Sequence, residues 1–166
     1  MPVYDHHQAL PRLVDALRTT GLTCWLVDDG SHAPCAQAVQ ALCAENQPWL
    51  RRLRLEHNQG KGGAVVAGLR AAHAAGFTHA VQIDADLQHP PEMIPRLLQQ
   101  AKRTKSDLVM GSRLAPGGDA SSLGVKRMLI SHAFALTTRA SFPQRLRTVT
   151  DPLTGFFLTR KFREAY

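Results

Sequence analysis

Two carboxylates stand two residues apart in the stretch Ala80 to Glu92, which reads AVQIDADLQHPPE. An apolar run, Val81 to Ile83, leads into Asp84, Ala85 and Asp86, with Gln88 two residues further on and Pro90-Pro91 behind. On an extended backbone side chains repeat every two residues, so Asp84 and Asp86 would point the same way. Such a pair can grip one hard divalent cation, Mg²⁺ or Mn²⁺; Mg²⁺ in particular is usually held by one or two carboxylates, with phosphate oxygens and water completing the shell. The protein then supplies half a coordination sphere and a diphosphate the rest. A lone D-x-D is better explained as a solvated loop capping the helix that begins near Pro91, since Asp favours loops and N-caps. Its position at the end of an apolar strand, where open α/β sheets bind ligands, favours the metal reading.

Three further groups could meet a phosphorylated ligand. Asp28 and Asp29, in DDGS after the apolar TCWLV, can accept hydrogen bonds from a base edge or from ribose hydroxyls, although DDGS is also good turn chemistry. Lys61, in HNQGKGG, precedes a helix whose dipole and free N–H groups already favour phosphate. The spacing is not G-x-x-x-x-G-K-[ST], which disfavours an ATPase. Arg113, in GSR, can clamp a phosphate bidentately or serve as a surface charge.

The elements that must position these groups follow from periodicity. Leu10, Leu13, Val14 and Leu17 recur at helical spacing, and Gly21 ends that helix. Strand Thr23 to Val27 and a helix from Pro34 to Glu45 come next. Arg52 to Glu56 alternates as a strand with Leu53 and Leu55 on one face. The glycine-rich turn His57 to Gly63 leads into a small-residue helix, Ala64 to Ala75, suited to close packing on a sheet. Strand Ala80 to Ile83, helix Pro91 to Arg103 with the stripe Met93, Ile94, Leu97, Leu98 and Ala101, and strand Asp107 to Met110 complete the alternation. This order predicts an α/β fold, Rossmann-like, with a largely parallel sheet and helices on both faces. All four strand ends carry polar or glycine-rich residues, which a purely structural explanation does not require.

Beyond Arg113, APGGDASSLG reads as a loop and Gly124 to Ala140 as a helix, either another core helix or a basic helix resting on anionic lipid. PLTGFFLT reads as a strand, and a further helix begins near Tyr166.

A length of 166 residues implies one domain, 1–166, with a real core. No apolar run approaches the roughly 18 residues of a membrane span, and MPVYDHHQ lacks a signal-peptide pattern, so a cytoplasmic location is expected. Cys24, Cys35 and Cys43 have neither the number nor the spacing of a disulfide framework or zinc site. The net charge of +7 implies anionic partners, while low aromatic content argues against single-stranded nucleic acid.

Taken together, PVYD with its Leu-Pro-Arg-Leu helix, VDDGS, HNQGKGGA, DADLQHPPE, GSR and DPLTGFFLTR resemble the family 2 glycosyltransferases, in the family's order from Pro2 to Arg160. Within that family the chain is similar to the polyprenyl-phosphate sugar transferases, the dolichol-phosphate mannose synthase branch. The resemblance implies an A-type glycosyltransferase fold, a nucleotide-diphosphate sugar donor, a polyprenyl (dolichyl or undecaprenyl) phosphate acceptor, Mg²⁺ or Mn²⁺, and inverting transfer. It places Pro2, Tyr4, Asp28 and Asp29 at the nucleotide, Asp84, Asp86 and Gln88 around the metal with Ala85 between them, Arg113 and Lys61 at the donor diphosphate, and Asp151 to Phe156 on the acceptor side. An acceptor phosphate, with a second pKa of about 6, needs no strong general base, so Asp151 is expected to orient rather than to take a proton. Transfer to a sugar hydroxyl, which needs a base, and a non-catalytic nucleotide-sugar binding module are the alternatives.

Three departures from the family pattern stand out. Asp5-His6 replaces the family's Asn-Glu, the apolar first strand expected before Pro2 is reduced to Met1, and the family's domain continues past Tyr166. The resemblance thus implies a domain incomplete at both ends. The missing strand would lie between the strands ending at Val27 and Ile83, leaving unpaired edges.

Overall fold

A computed structural model describes residues 1–112, 130, 133–137, 140–141 and 154–160. Arg113, Asp151 and most of the basic segment 124–140 lie outside the described residues. The elements are β1 (Pro2–Val3), α1 (Leu10–Arg18), β2 (Cys24–Asp28), α2 (Ala33–Glu45), β3 (Leu50–Arg54), α3 (Gly60–Ala74), β4 (Ala80–Gln82), a 3-10 turn (Pro91–Met93) running into α4 (Ile94–Thr104), β5 (Leu108–Met110) and β6 (Phe157–Thr159).

The strands form two three-stranded sheets. β1, β2 and β3 are parallel, with Val27 opposite both Pro2 and Leu53. In the second sheet β6 lies between β4 and β5 and runs antiparallel to both. The expected α/β order with parallel strands holds in β1–β3, and the structure adds that β6 enters antiparallel between β4 and β5. Alternation of elements along the chain sets the first three strands, but the direction of a strand arriving from a distant segment is not a local property.

α1 bolts the two halves together. Leu10 and Val14 pack in one core with Val3, Leu26, Val39 and Leu50, whereas Leu13 and Leu17 pack in the other with Ile83, Ile94, Leu97, Phe156 and Leu158. Helical spacing makes this possible, because residues three and four apart fan across one wide apolar face. β3 starts two residues before the expected Arg52, since Leu50 is the buried position. α3 approaches β2 closely: a Cβ at Gly68 would meet Val27 Cγ2 at 3.0 Å. α4 buries Ile94, Leu97 and Ala101, as its stripe predicts, and carries Lys102 and Arg103 in its last turn, where the dipole favours cations. Truncating the fully buried Leu158 to alanine is expected to cost about 2–5 kcal/mol in urea denaturation, against under about 0.5 kcal/mol for the exposed Leu108 on the neighbouring strand.

A cavity of about 310 Å³ separates the two sheets, lined by Met1, Trp25, Val27, Gly68, Val81 and Ile83 among others. The Met1 ammonium donates to the Trp25 carbonyl at 2.9 Å, and the Met1 and Val3 carbonyls accept from the N–H groups of Val27 and Asp29, also at 2.9 Å. β1 thus covers only the end of β2. Backbone alternation turns the Trp25 N–H into the cavity, and on the far side it turns the Val81 N–H and carbonyl away from β6 into the same space.

Candidate functional site

Asp84 follows the end of β4 and is held by three side chains. Lys61 Nζ donates to Oδ2 at 2.8 Å, Gln82 Nε2 donates to Oδ1 at 2.8 Å, and His89 Nε2 lies 3.5 Å from Oδ2. Burial pushes the carboxyl pKa up, but the hydrogen bonds from His89, Lys61 and Gln82 outweigh it and hold the group well below the usual carboxylate range. A depressed folded-state pKa adds stability that is present above the unfolded value of about 3.9 and is lost as pH falls through the lower folded value. Asp84→Asn is therefore expected to flatten the acid limb of a plot of urea stability against pH, between about pH 4 and pH 2. An unchanged limb would mean that the carboxylate is not held as described.

His89 is buried and its ring stacks on Phe156, with centroids 5.4 Å apart. This contact joins the carboxylate to β6. Gly155, beside Phe156, passes directly over the ion pair: a Cβ there would lie 2.7 Å from Asp84 Cγ and 2.8 Å from Lys61 Nζ. Only a bare backbone fits.

Asp86 is exposed, and its Oδ1 accepts the Gln88 N–H at 3.0 Å, an Asx-type turn. Leu87 takes φ 61°, a region uncommon for residues with a side chain. The strand has already ended at Gln82, so the extended geometry expected for Asp84 and Asp86 is corrected: a turn, not strand alternation, sets the direction of Asp86. Ala85 is buried against the core of Val3 and Leu26 and anchors this turn to the first sheet.

The second group lies at the ends of β1 and β2. Asp28 is fully buried; Oδ1 accepts the Ser31 N–H at 3.0 Å and Oδ2 accepts from Arg54 at 2.5 Å, with Arg52 at 3.8 Å. Both of its oxygens thus have protein partners. Asp29 Oδ1 accepts the Gln59 N–H at 2.8 Å. Gly30 has φ +72°, and a Cβ there would meet the Asn58 nitrogen at 2.7 Å, so the DDGS loop is clasped against HNQG. Pro2 lies in β1 beside this loop, and the exposed Tyr4 ring stands 6.5 Å from that of His32. Asp5, φ 47°, accepts the His32 N–H at 2.8 Å and contacts His32 Nδ1 at 2.5 Å. These hydrogen bonds from His32 hold its carboxyl below the usual range.

The segment 57–61 fastens both groups, with Gln59 on Asp29 and Lys61 on Asp84. α3 begins at Gly60 rather than Ala64, so Lys61 lies in the first helical turn and not in a preceding loop. Arg113 and Asp151 lie outside the described residues. The sequence reading missed Gln82, His89, Arg54 and His32. Gln82 and His89 flank the acidic pair within the same stretch and were the most discoverable; Arg54 and His32 carry no local signal.

The donor set suits a hard divalent cation. Asp84 is ionised, Gln82 Oε1 is buried without a hydrogen-bond partner, and Gly155 leaves no side chain over the carboxylate. Among the described residues no group of three or more His, Cys, Asp or Glu could hold a metal unaided. A partial shell completed by phosphate and water is the mode Mg²⁺ prefers.

Parallel strands whose polar ends converge beside a helix N-terminus define an open α/β architecture, in which ligands bind beyond the carboxyl ends of the strands. A solved structure, glucosyl-3-phosphoglycerate synthase from Mycobacterium tuberculosis in complex with Mn²⁺, uridine diphosphate and phosphoglyceric acid, superposes with a TM-score of 0.65 at 18% identity, covering 96% of this chain and 53% of that one. It carries the A-type glycosyltransferase fold, and the likeness extends that fold to this chain. The chain belongs to glycosyl transferase family 2, whose model matches residues 1–163. It is 33% identical to a dolichol-phosphate mannosyltransferase of Pyrococcus furiosus, over 97% of this chain and 45% of that protein. It is 36% identical to an undecaprenyl-phosphate mannosyltransferase of Micrococcus luteus, over 90% of this chain and 61% of that protein. The chain thus spans about half the length of the curated relatives it matches.

Proposed function

We propose that this chain is the nucleotide-sugar domain of an inverting, metal-dependent glycosyltransferase that moves a sugar from a nucleotide-diphosphate sugar to a polyprenyl phosphate. The observation that carries the reading is the ionised Asp84 under the bare backbone of Gly155, beside Lys61 at the start of α3. Asp84 and Asp86 would hold the Mg²⁺ or Mn²⁺, with Gln88 and the buried Gln82 carbonyl beside them. When bound, the ion would supply charge that stabilises a departing diphosphate.

The chain's own residues do the rest. Lys61 and the first turn of α3 meet phosphate oxygens, the Gly60 N–H being already given to Asn58 Oδ1 at 2.8 Å. Asp29 and Tyr4 flank the nucleotide, while Asp28 acts behind them by holding Arg54, Arg52 and the Ser31 turn. The Asp5 to His32 contact fixes that loop in place of the family's Asn-Glu. Phe156, stacked on His89, gives the acceptor side a rigid connection to Asp84. Arg113 completes the diphosphate contacts, and Asp151 orients the acceptor phosphate, already an anionic nucleophile at neutral pH.

The test is transfer from radiolabelled UDP- and GDP-sugars to polyprenyl phosphate, with Mn²⁺ and with chelator. Metal-dependent transfer to the lipid supports the reading. Transfer to a sugar hydroxyl acceptor instead, or binding without transfer, would replace it with one of its alternatives.

A membrane-side acceptor is supported by the apolar side chains of Ile130, Phe134 and Leu136, which are 53%, 52% and 66% exposed. With Lys126 and Arg127 nearby in sequence, removing both basic residues is expected to weaken binding to anionic phosphatidylserine vesicles, each being worth about 1 kcal/mol near the surface. Absence of vesicle binding at low salt would remove the membrane from the proposal. Among the described residues no helix is long and apolar enough to cross a membrane.

A further inference from the structure

We propose that Lys61 is an exchangeable counter-ion: it neutralises Asp84 in the free protein, yields that position to the divalent cation, and transfers to the diphosphate arriving with it. The inference rests on the metal reading given above and goes beyond it by assigning a sequence of partners to one side chain.

Asp84 Oδ2 faces Lys61 Nζ at 2.8 Å and His89 Nε2 at 3.5 Å, while Oδ1 takes Gln82. A dication arriving at this carboxylate repels the ammonium held at contact distance on Oδ2 and so favours its departure. Of the three present partners, Lys61 is the one free to move. Gln82 is buried on β4, and His89 is buried and stacked on Phe156, so neither can withdraw without disturbing the second core. The Lys61 side chain is 57% exposed and hangs from four flexible carbons, against 19% exposure for Asp84.

Its destination is beside it. Lys61 occupies the first turn of α3, whose leading N–H groups lack helical partners. Cβ atoms placed at Gly60 or Gly62 would meet nothing within 4 Å, so phosphate oxygens can approach the backbone on both sides of the lysine. Gly155 covers the ion pair with backbone alone, so no side chain from that segment competes for the carboxylate. The arrangement also makes the free site less attractive to metal without a phosphorylated ligand.

The exchange predicts effects of opposite sign on two ligands. Lys61→Met, and Lys61→Gln as an independent variant, should bind Mn²⁺ alone about two- to fivefold more tightly than the parent chain, the range expected for a partly exposed ion pair. The same variants should bind UDP or GDP in the presence of Mn²⁺ about tenfold more weakly, having lost a charged phosphate contact. Free Mn²⁺ is read by electron paramagnetic resonance and the nucleotides by calorimetry, with Asp84→Asn as the control that loses both. Unchanged or weaker Mn²⁺ binding in both lysine variants overturns the exchange while leaving the metal site standing. If the parent chain binds no Mn²⁺ even with UDP or GDP present, the metal reading itself fails and the exchange falls with it.

Discussion

Gly155→Ala is expected to abolish Mn²⁺-dependent binding of nucleoside diphosphate, with a loss of about 100-fold or more. The added Cβ would fall 2.7 Å from Asp84 Cγ and 2.8 Å from Lys61 Nζ, closer than any real Cβ approaches, so either the carboxylate or the backbone of 154–156 must shift. Replacing residues that merely orient a metal ligand typically costs 10–100-fold in affinity, and here the ligand itself is displaced. The change lies before β6, so His89 loses its alignment with Phe156 at the same time. Calorimetric titration with UDP and GDP, with and without Mn²⁺, checks the expectation, and a urea melt separates it from unfolding. An unaltered metal-dependent Kd would take Asp84 out of the binding site.

The second large effect concerns the cavity between the sheets. Extending the chain ahead of Met1 by about five β-forming apolar residues is expected to raise the Tm and tighten nucleotide binding together. The slot presents the Trp25 N–H on one side and the Val81 N–H and carbonyl on the other, between apolar walls that include Val27, Val65, Leu69 and Ile83. A strand inserted there would pair with both edges and bury apolar side chains at about 25 cal/mol per Å². After backbone ordering is subtracted, a net gain of about 2 kcal/mol would raise the Tm by roughly 4–8 °C in a domain of this size. Nucleotide affinity should follow, because Tyr4 and Asp29 directly follow β1 and β2. A glycine-serine extension of equal length is the control, since it can reach the slot but buries little. If both extensions leave the Tm unchanged, the cavity is not a strand site.

Some of the candidate site was legible in the residues themselves. Asp84 and Asp86 ending an apolar run, Asp29 in a turn after TCWLV, and Lys61 among glycines each carry local chemistry that survives any packing. The helical stripes of α1 and α4 were equally readable, since a 3.6-residue period forces one face toward a core. The order of helices and strands through residue 110 was predictable for the same reason, and with it the gathering of polar strand ends on one edge.

Other features arose only when distant segments met. That Asp28 is consumed by Arg54, Arg52 and Ser31, whereas Asp29 reaches Gln59, depends on the parallel register of β2 and β3. Neither carboxylate differs from its neighbour in sequence chemistry. The antiparallel entry of β6 brought Gly155 and Phe156 to Asp84 and His89 from some seventy residues away, and no periodicity encodes such a pairing. By itself the sequence determined most of the elements and the residue types suited to phosphate and metal, because these follow from local composition and spacing, while its motifs in order carried the resemblance to the family. Only the tertiary structure decided that Lys61 pairs with Asp84 and that a bare glycine covers them, because burial and charge pairing depend on which surfaces the fold presses together.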